Sequence, residues 1–200
     1  MYVVHDLEAA ARRIRFENGL DSYPGGEHAG VGTHNRIIPL GGGQYVELMA
    51  VLDEDVAARN PAGRRILEWA SEGEGLRAWC LATDDVAAVG ERLRLEPKAW
   101  TRVLPDGGEL RWRLVGTEEA MADPSLPFFI EWDRAARHPG SVAVEHTVEV
   151  LGASWLEVGG DSARIERWTG GADLPVRVVD ADEGVRALGI ATPDGEIVLR

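Results

Sequence analysis

The chain has 200 residues, of which 44% are apolar, enough for a core of one large domain or two small ones. Its formal net charge of −13 argues against nucleic acid and anionic membrane surfaces, both of which attract Lys and Arg. One cysteine, Cys80, excludes an internal disulfide, and neither a signal peptide nor an apolar run of membrane-spanning length is present, so a cytoplasmic protein is expected.

Three loosely similar units follow one another. Each starts with a short apolar strand, turns at an acidic residue and enters an Ala/Arg-rich helix. The first unit runs from Tyr2 through Asp6 to Arg13, the second from Ala78 through Asp84-Asp85 to Leu93, and the third from Ser154 through Asp161 to Trp168. The acids Asp6, Asp84 or Asp85, and Asp161 are expected helix N-caps, because a carboxylate there accepts from free N–H groups of the first turn. Strands split by turn signals come next: Gly41-Gly42-Gly43, Pro105-Asp106-Gly107-Gly108 and Pro193-Asp194-Gly195. The closing strands are Tyr45 to Val51, Phe128 to Trp132 and Ile197 to Leu199. Residues 53–75 read as a linker with a helix around Arg64 to Ser71, and Asp133 to Val142 reads as a second linker. This is an α+β pattern with helices on one face of largely antiparallel sheets.

Two closing strands each carry one carboxylate among apolar residues. Glu47 shares a strand face with Tyr45 and Met49, and Glu131 shares one with Phe129. A carboxylate there needs a partner, since burying an unpaired charge is costly. An arginine such as Arg36, Arg102 or Arg113 would make it structural, while a metal or ligand would make it functional. If both acids face one cleft, their repulsion would create a general base near neutral pH. His28 sits in a Gly-rich stretch, Pro24 to Gly32, read as a loop. Thr33 and Asn35 open the next strand, where turn chemistry is the simpler role and substrate binding the alternative. His146 opens an expected strand of the third unit, Glu145 to Val150, whose alternating polarity makes it read as solvated. Trp79 and Trp132 are the tryptophans placed nearest a cleft. Phosphate-loop, dinucleotide and G-x-S-x-G patterns are absent.

Pro24-Gly25-Gly26-Glu27-His28, Gly32-Thr33-His34-Asn35-Arg36-Ile37, Tyr45-Val46-Glu47-Leu48 and Leu126 to Asp133 together resemble the glyoxalase-like domain of the vicinal-oxygen-chelate superfamily. The resemblance implies repeated βαβββ modules forming curved mixed sheets around a cleft. It implies paired modules over 1–133 (1–52 and 76–133, linker 53–75) and a third, partial module over 142–200. It also implies a small-molecule ligand and a homodimer as one mode of assembly. The implied chemistry is metal-assisted lyase or isomerase chemistry next to a carbonyl, or a dioxygenase-like reaction, with non-catalytic sequestration as the alternative. On that reading Glu47 and Glu131 are catalytic, while His28, Thr33, Asn35, Trp79 and Trp132 bind substrate. Glu47 and His28 are the metal candidates, for Mg²⁺ or Mn²⁺ rather than Zn²⁺, and a site without metal is equally consistent. Counting back from Asp6, the position of the family's first-strand His lies before Met1, so either the start is trimmed or misassigned or the ligand is absent, and in the second unit the position falls near Ala78.

Overall fold

The computed structural model describes residues 1–103, 109–133 and 138–200. The turn expected at Pro105 to Gly108 and part of the second expected linker, residues 134–137, lie outside the described residues. The chain divides into two compact units: residues 1–77, 138–156 and 186–200 form the first, and residues 78–137 and 157–185 the second.

The first unit opens with β1 (Tyr2–Val3), α1 (Leu7–Asn18), β2 (Tyr23–His28), β3 (Thr33–Gly41) and β4 (Gln44–Val51). Asp6 caps α1, accepting from Ala9 N–H, and Gly19 ends it in the left-handed conformation. The Gly41-Gly42-Gly43 turn joins β3 to β4, with all three glycines at positive φ. The residues after β4 hold two helices rather than one, α2 (Glu54–Arg59) and α3 (Pro61–Glu72), before β5 (Gly75–Leu76). Asn60 between them accepts from Ala62 and Gly63 N–H, with Pro61 at the first helical position. The sheet order is β2-β3-β4-β1-β5, with β1 parallel to β4 and antiparallel to β5. A strand–helix–strand crossover therefore places β1 beside the last strand of its own module.

The second unit repeats this with β6 (Cys80–Ala82), α4 (Val86–Leu93), β7 (Lys98–Val103), β8 (Glu109–Val115), α5 (Thr117–Ala122) and β9 (Phe128–Trp132). Its sheet order is β6-β9-β8-β7, with β6 parallel to β9. Asp85 caps α4 through Ala88 N–H. The helix buries Val86 against Val115 and Phe129, with Leu81, Val89, Leu93 and Trp168 packed around them.

After the short 3-10 turn Pro139–Ser141 come β10 (Gly152–Gly159), α6 (Ser162–Thr169), β11 (Val176–Val179), β12 (Gly184–Thr192) and β13 (Gly195–Leu199). Asp161 caps α6, and the Pro193-Asp194-Gly195 signal gives the β12–β13 hairpin. The element order is again strand, helix, three strands, but the strand order differs. It is β11-β10-β12-β13, so the first strand lies between the second and third rather than beside the last.

Residues 145–150, expected as a strand, are not in one. His146 is half-buried there, not solvated. Its Nδ1 accepts Asp21 N–H at 2.9 Å and its Nε2 donates to the Pro39 carbonyl at 2.8 Å. Thr147 N–H to Gly19 O and Tyr23 Oη to Pro139 O, at 2.9 and 3.0 Å, fasten the same segment to the first unit. A ring that bridges two main-chain groups is used structurally, and the alternating polar pattern could not reveal that. His138, half-buried, accepts Gly140 N–H and packs edge-on to Tyr45 at 5.9 Å, and burial pushes its imidazole below the usual range.

Candidate functional site

Register divides the first sheet into two faces. Arg36 pairs with Glu8 of α1 at 2.8 Å and opposes Leu48, which in turn neighbours Tyr2. The Arg36, Leu48 and Tyr2 face is therefore the α1 face. Directly opposed residues share a face, so the pairs Ile37–Glu47, Asn35–Met49, Thr33–Val51 and His28–Thr33 place Glu47, Asn35, Thr33 and His28 on the other one. Four of the expected site residues thus lie on one face of one sheet.

Asn35 lies within β3, 3% exposed, and Thr33, 1% exposed, is the first residue of that strand. Asn35 is therefore a strand residue, while Thr33 borders the turn that follows His28. The Asn35 amide donates from Nδ2 to Oε1 of half-buried Glu47. Among the described residues no Lys or Arg pairs with Glu47, so the arginine partner expected for a purely structural acid is absent there. The stretch read as a Gly-rich loop is largely strand β2, and His28 at its end hydrogen-bonds Thr33 Oγ1 through Nδ1 at 3.0 Å.

Glu131 is placed differently. The β6–β9 register sets Leu81 against Phe129, and both pack on α4. Glu131, two residues beyond Phe129, shares that face. Its carboxylate accepts the Arg113 guanidinium at 2.7 and 2.8 Å and Val86 N–H at 2.8 Å, at the start of α4. Arg113 first, then the Val86 N–H, hold it below the ordinary carboxylate range, opposite to the shift a base near neutral pH needs. Arg102, another partner considered, has its side chain outside the described residues.

The two glutamates are not equivalent positions. Tyr2 and Leu81 each stand four residues before their helix N-cap, Asp6 and Asp85. Their partners on the closing strands are Leu48 and Phe129. Glu47 therefore corresponds to Phe128, and Glu131 corresponds to Ala50. Similar strand composition concealed a shift of three residues, which reverses the face.

Trp79 is 7% exposed and donates its indole N–H to the Ser125 carbonyl at 3.1 Å, as a core residue does. Trp132 is half-buried and stacks obliquely on Trp112 at 5.4 Å. Cys80 is half-buried in β6.

The metal candidates fail a distance test. His28 opposes Thr33 and Glu47 opposes Ile37. That offset is about 13 Å along the strand and about 10 Å across two strand spacings, so the Cα atoms are roughly 16 Å apart. Two side chains at that separation do not converge on one ion. No group of three or more His, Cys, Asp or Glu that could hold a metal occurs among the described residues. The donor set does not fit a chelated divalent ion, and no chemical step is assigned to one.

The Glyoxalase-like domain family matches residues 1–170. This chain belongs to that family. A hypothetical protein from Staphylococcus aureus is similar in structure at 17% identity and TM-score 0.67, over 98% of this chain and 81% of that one. That likeness shows a shared fold alone. Methylmalonyl-CoA epimerase from Streptomyces coelicolor in complex with 2-nitronate-propionyl-CoA is similar at 18% identity and TM-score 0.45, over 68% of this chain and 91% of that one. The epimerase from Mycobacterium tuberculosis is similar at 17% identity and TM-score 0.45, over 68% and 85%. A search of curated proteins gives no match. The expected α+β class with repeated strand–helix–three-strand modules is thus present, and among the described residues no helix is long and apolar enough to cross a membrane.

Proposed function

We propose that this glyoxalase-like chain binds a small oxygenated molecule on the face of the first sheet opposite α1, and that Glu47 abstracts a proton next to a carbonyl. The observation that carries this reading is the half-buried Glu47 carboxylate held by the neutral Asn35 amide rather than by a cation. A half-buried carboxylate with no cation beside it keeps acceptor capacity for a ligand. In the proposed step the C–H bond electrons move into the carbonyl to give an enolate and the proton passes to Glu47. Return of that proton to another atom or face completes an isomerisation. Asn35 orients the base. His28 and Thr33, at the far end of the same face, meet the remote end of the ligand.

The second reading, sequestration without turnover, draws on the tie between Glu131 and Arg113, which leaves Glu47 as the free acid of the expected pair. Proton NMR in deuterium oxide separates the two. Small 2-oxo and 3-oxo carbonyl compounds should exchange the proton next to the carbonyl with the native protein, and E47Q should abolish that exchange. Line broadening without exchange would favour sequestration. Neither broadening nor exchange across the panel would overturn both readings.

A further inference from the structure

The pairing of β2 with β3 skips a residue. Pro24 opposes Arg36 and Gly26 opposes Asn35, so Gly25 is the extra residue of a β-bulge. A Cβ built on Gly25 would lie 2.1 Å from Asn35 Oδ1, 2.8 Å from Asn35 Cγ and 3.2 Å from Ile37 Cγ1. Gly25 is not among the glycines with positive φ, so its backbone suits any residue and only the space demands glycine. The amide occupying that space donates to Glu47. Its Oδ1 is buried without a hydrogen-bond partner, so the contact with Glu47 is the amide's one bond within the described residues.

We infer that Gly25 and Asn35 are a positioning pair for Glu47. The bulge brings a residue without a side chain against β3, the vacated volume admits the Asn35 amide, and the amide fixes the carboxylate. Neither residue touches the reacting atoms. The rotamer that reaches Glu47 exists because Gly25 has no Cβ. The catalytic consequence rests on the proposed role of Glu47, but the steric coupling does not.

A double-substitution cycle tests the coupling directly. G25A should lower the thermal midpoint by about 2 °C or more, since an atom forced into occupied space strains the packing around it. N35A removes the obstructing amide, so G25A in the N35A background should shift the midpoint by less than about 1 °C relative to N35A alone. If G25A alone does not fold, recovery of folding in G25A/N35A gives the same answer. Equal shifts in both backgrounds would overturn the inference. In ¹H–¹⁵N spectra the Asn35 side-chain amide should move in E47Q, a contact a merely space-filling Asn35 would lack. An unchanged signal there would overturn the positioning role. Where exchange is observed with the native protein, N35A should lower kcat at least tenfold with little change in KM. Coupled stabilities without exchange in the native protein would refute the proposed chemistry and keep the positioning pair. Exchange with additive stabilities would do the reverse.

Discussion

At the scale of single residues, the informative contrast is between two glutamates in similar strands. Glu47 meets an amide, and Glu131 meets a guanidinium and a helix N-terminus. The second arrangement makes Glu131 a pH-dependent stabiliser. Its folded-state titration is depressed below the unfolded value near 4.5. Its contribution is therefore fully present above that value and is lost as pH falls through the lower folded value. Chemical denaturation of native protein and E131Q across pH 3 to 7 should show two curves separated at neutral pH that converge toward acid. Curves that stay parallel would refute this. Glu47 was legible as a candidate because a carboxylate among Tyr45, Val46, Leu48 and Met49 is anomalous in any strand. That its partner would be Asn35 was not legible, because the contact crosses from β4 to β3 and depends on register.

At the scale of elements, helix starts were the most readable feature. Asp6, Asp85 and Asp161 each accept from an N–H two or three residues on, and such bonds are local. Replacing Asp161 with Ala should cost about 1 kcal/mol, measurable as a lowered denaturation midpoint. The segment 138–151 was less readable. Its attachment relies on bonds between residues more than a hundred positions apart, such as His146 to Asp21 and Pro39. H146A leaves two main-chain groups without their partner, so a loss of about 1–3 kcal/mol is expected. The ring binds main-chain groups of Asp21 and Pro39 and makes no bond to Glu47, so any carbonyl exchange should persist in H146A while it disappears in E47Q. Equal loss in both would show that the clasp also shapes the site.

For the whole molecule, charge and metal give the checkable consequences. A net charge of −13 makes the folded chain repel itself, and salt screens that repulsion. Raising sodium chloride from about 0.05 to 0.5 M should raise the thermal midpoint by a few degrees. A fall would show that attractive surface pairs, such as Arg13–Glu74, outweigh the repulsion. With His28 and Glu47 roughly 16 Å apart, millimolar Mg²⁺ or Mn²⁺ should move the midpoint by less than about 1 °C, since stabilisation follows the logarithm of saturation. Stoichiometric metal surviving purification would contradict that expectation.

The α+β class, the three strand-then-helix starts, their caps and the hairpin turns at Gly41–Gly43 and Pro193–Gly195 could be read from the chain by itself. Each depends on residues only a few positions apart, through torsion preference, side-chain capping or alternation. Which face a strand residue occupies, which partner it meets and how a third strand–helix–strand set orders its sheet were decided only in the tertiary structure. Register accounts for this. A shift of three residues places Ala50, not Glu47, at the position that Glu131 holds in its own module, and turns an apparent pair of catalytic acids into one candidate base and one helix-capping ion pair. The bulge at Gly25 was equally hidden, because glycine there answers to the volume of Asn35, ten residues away, and to no local conformational need.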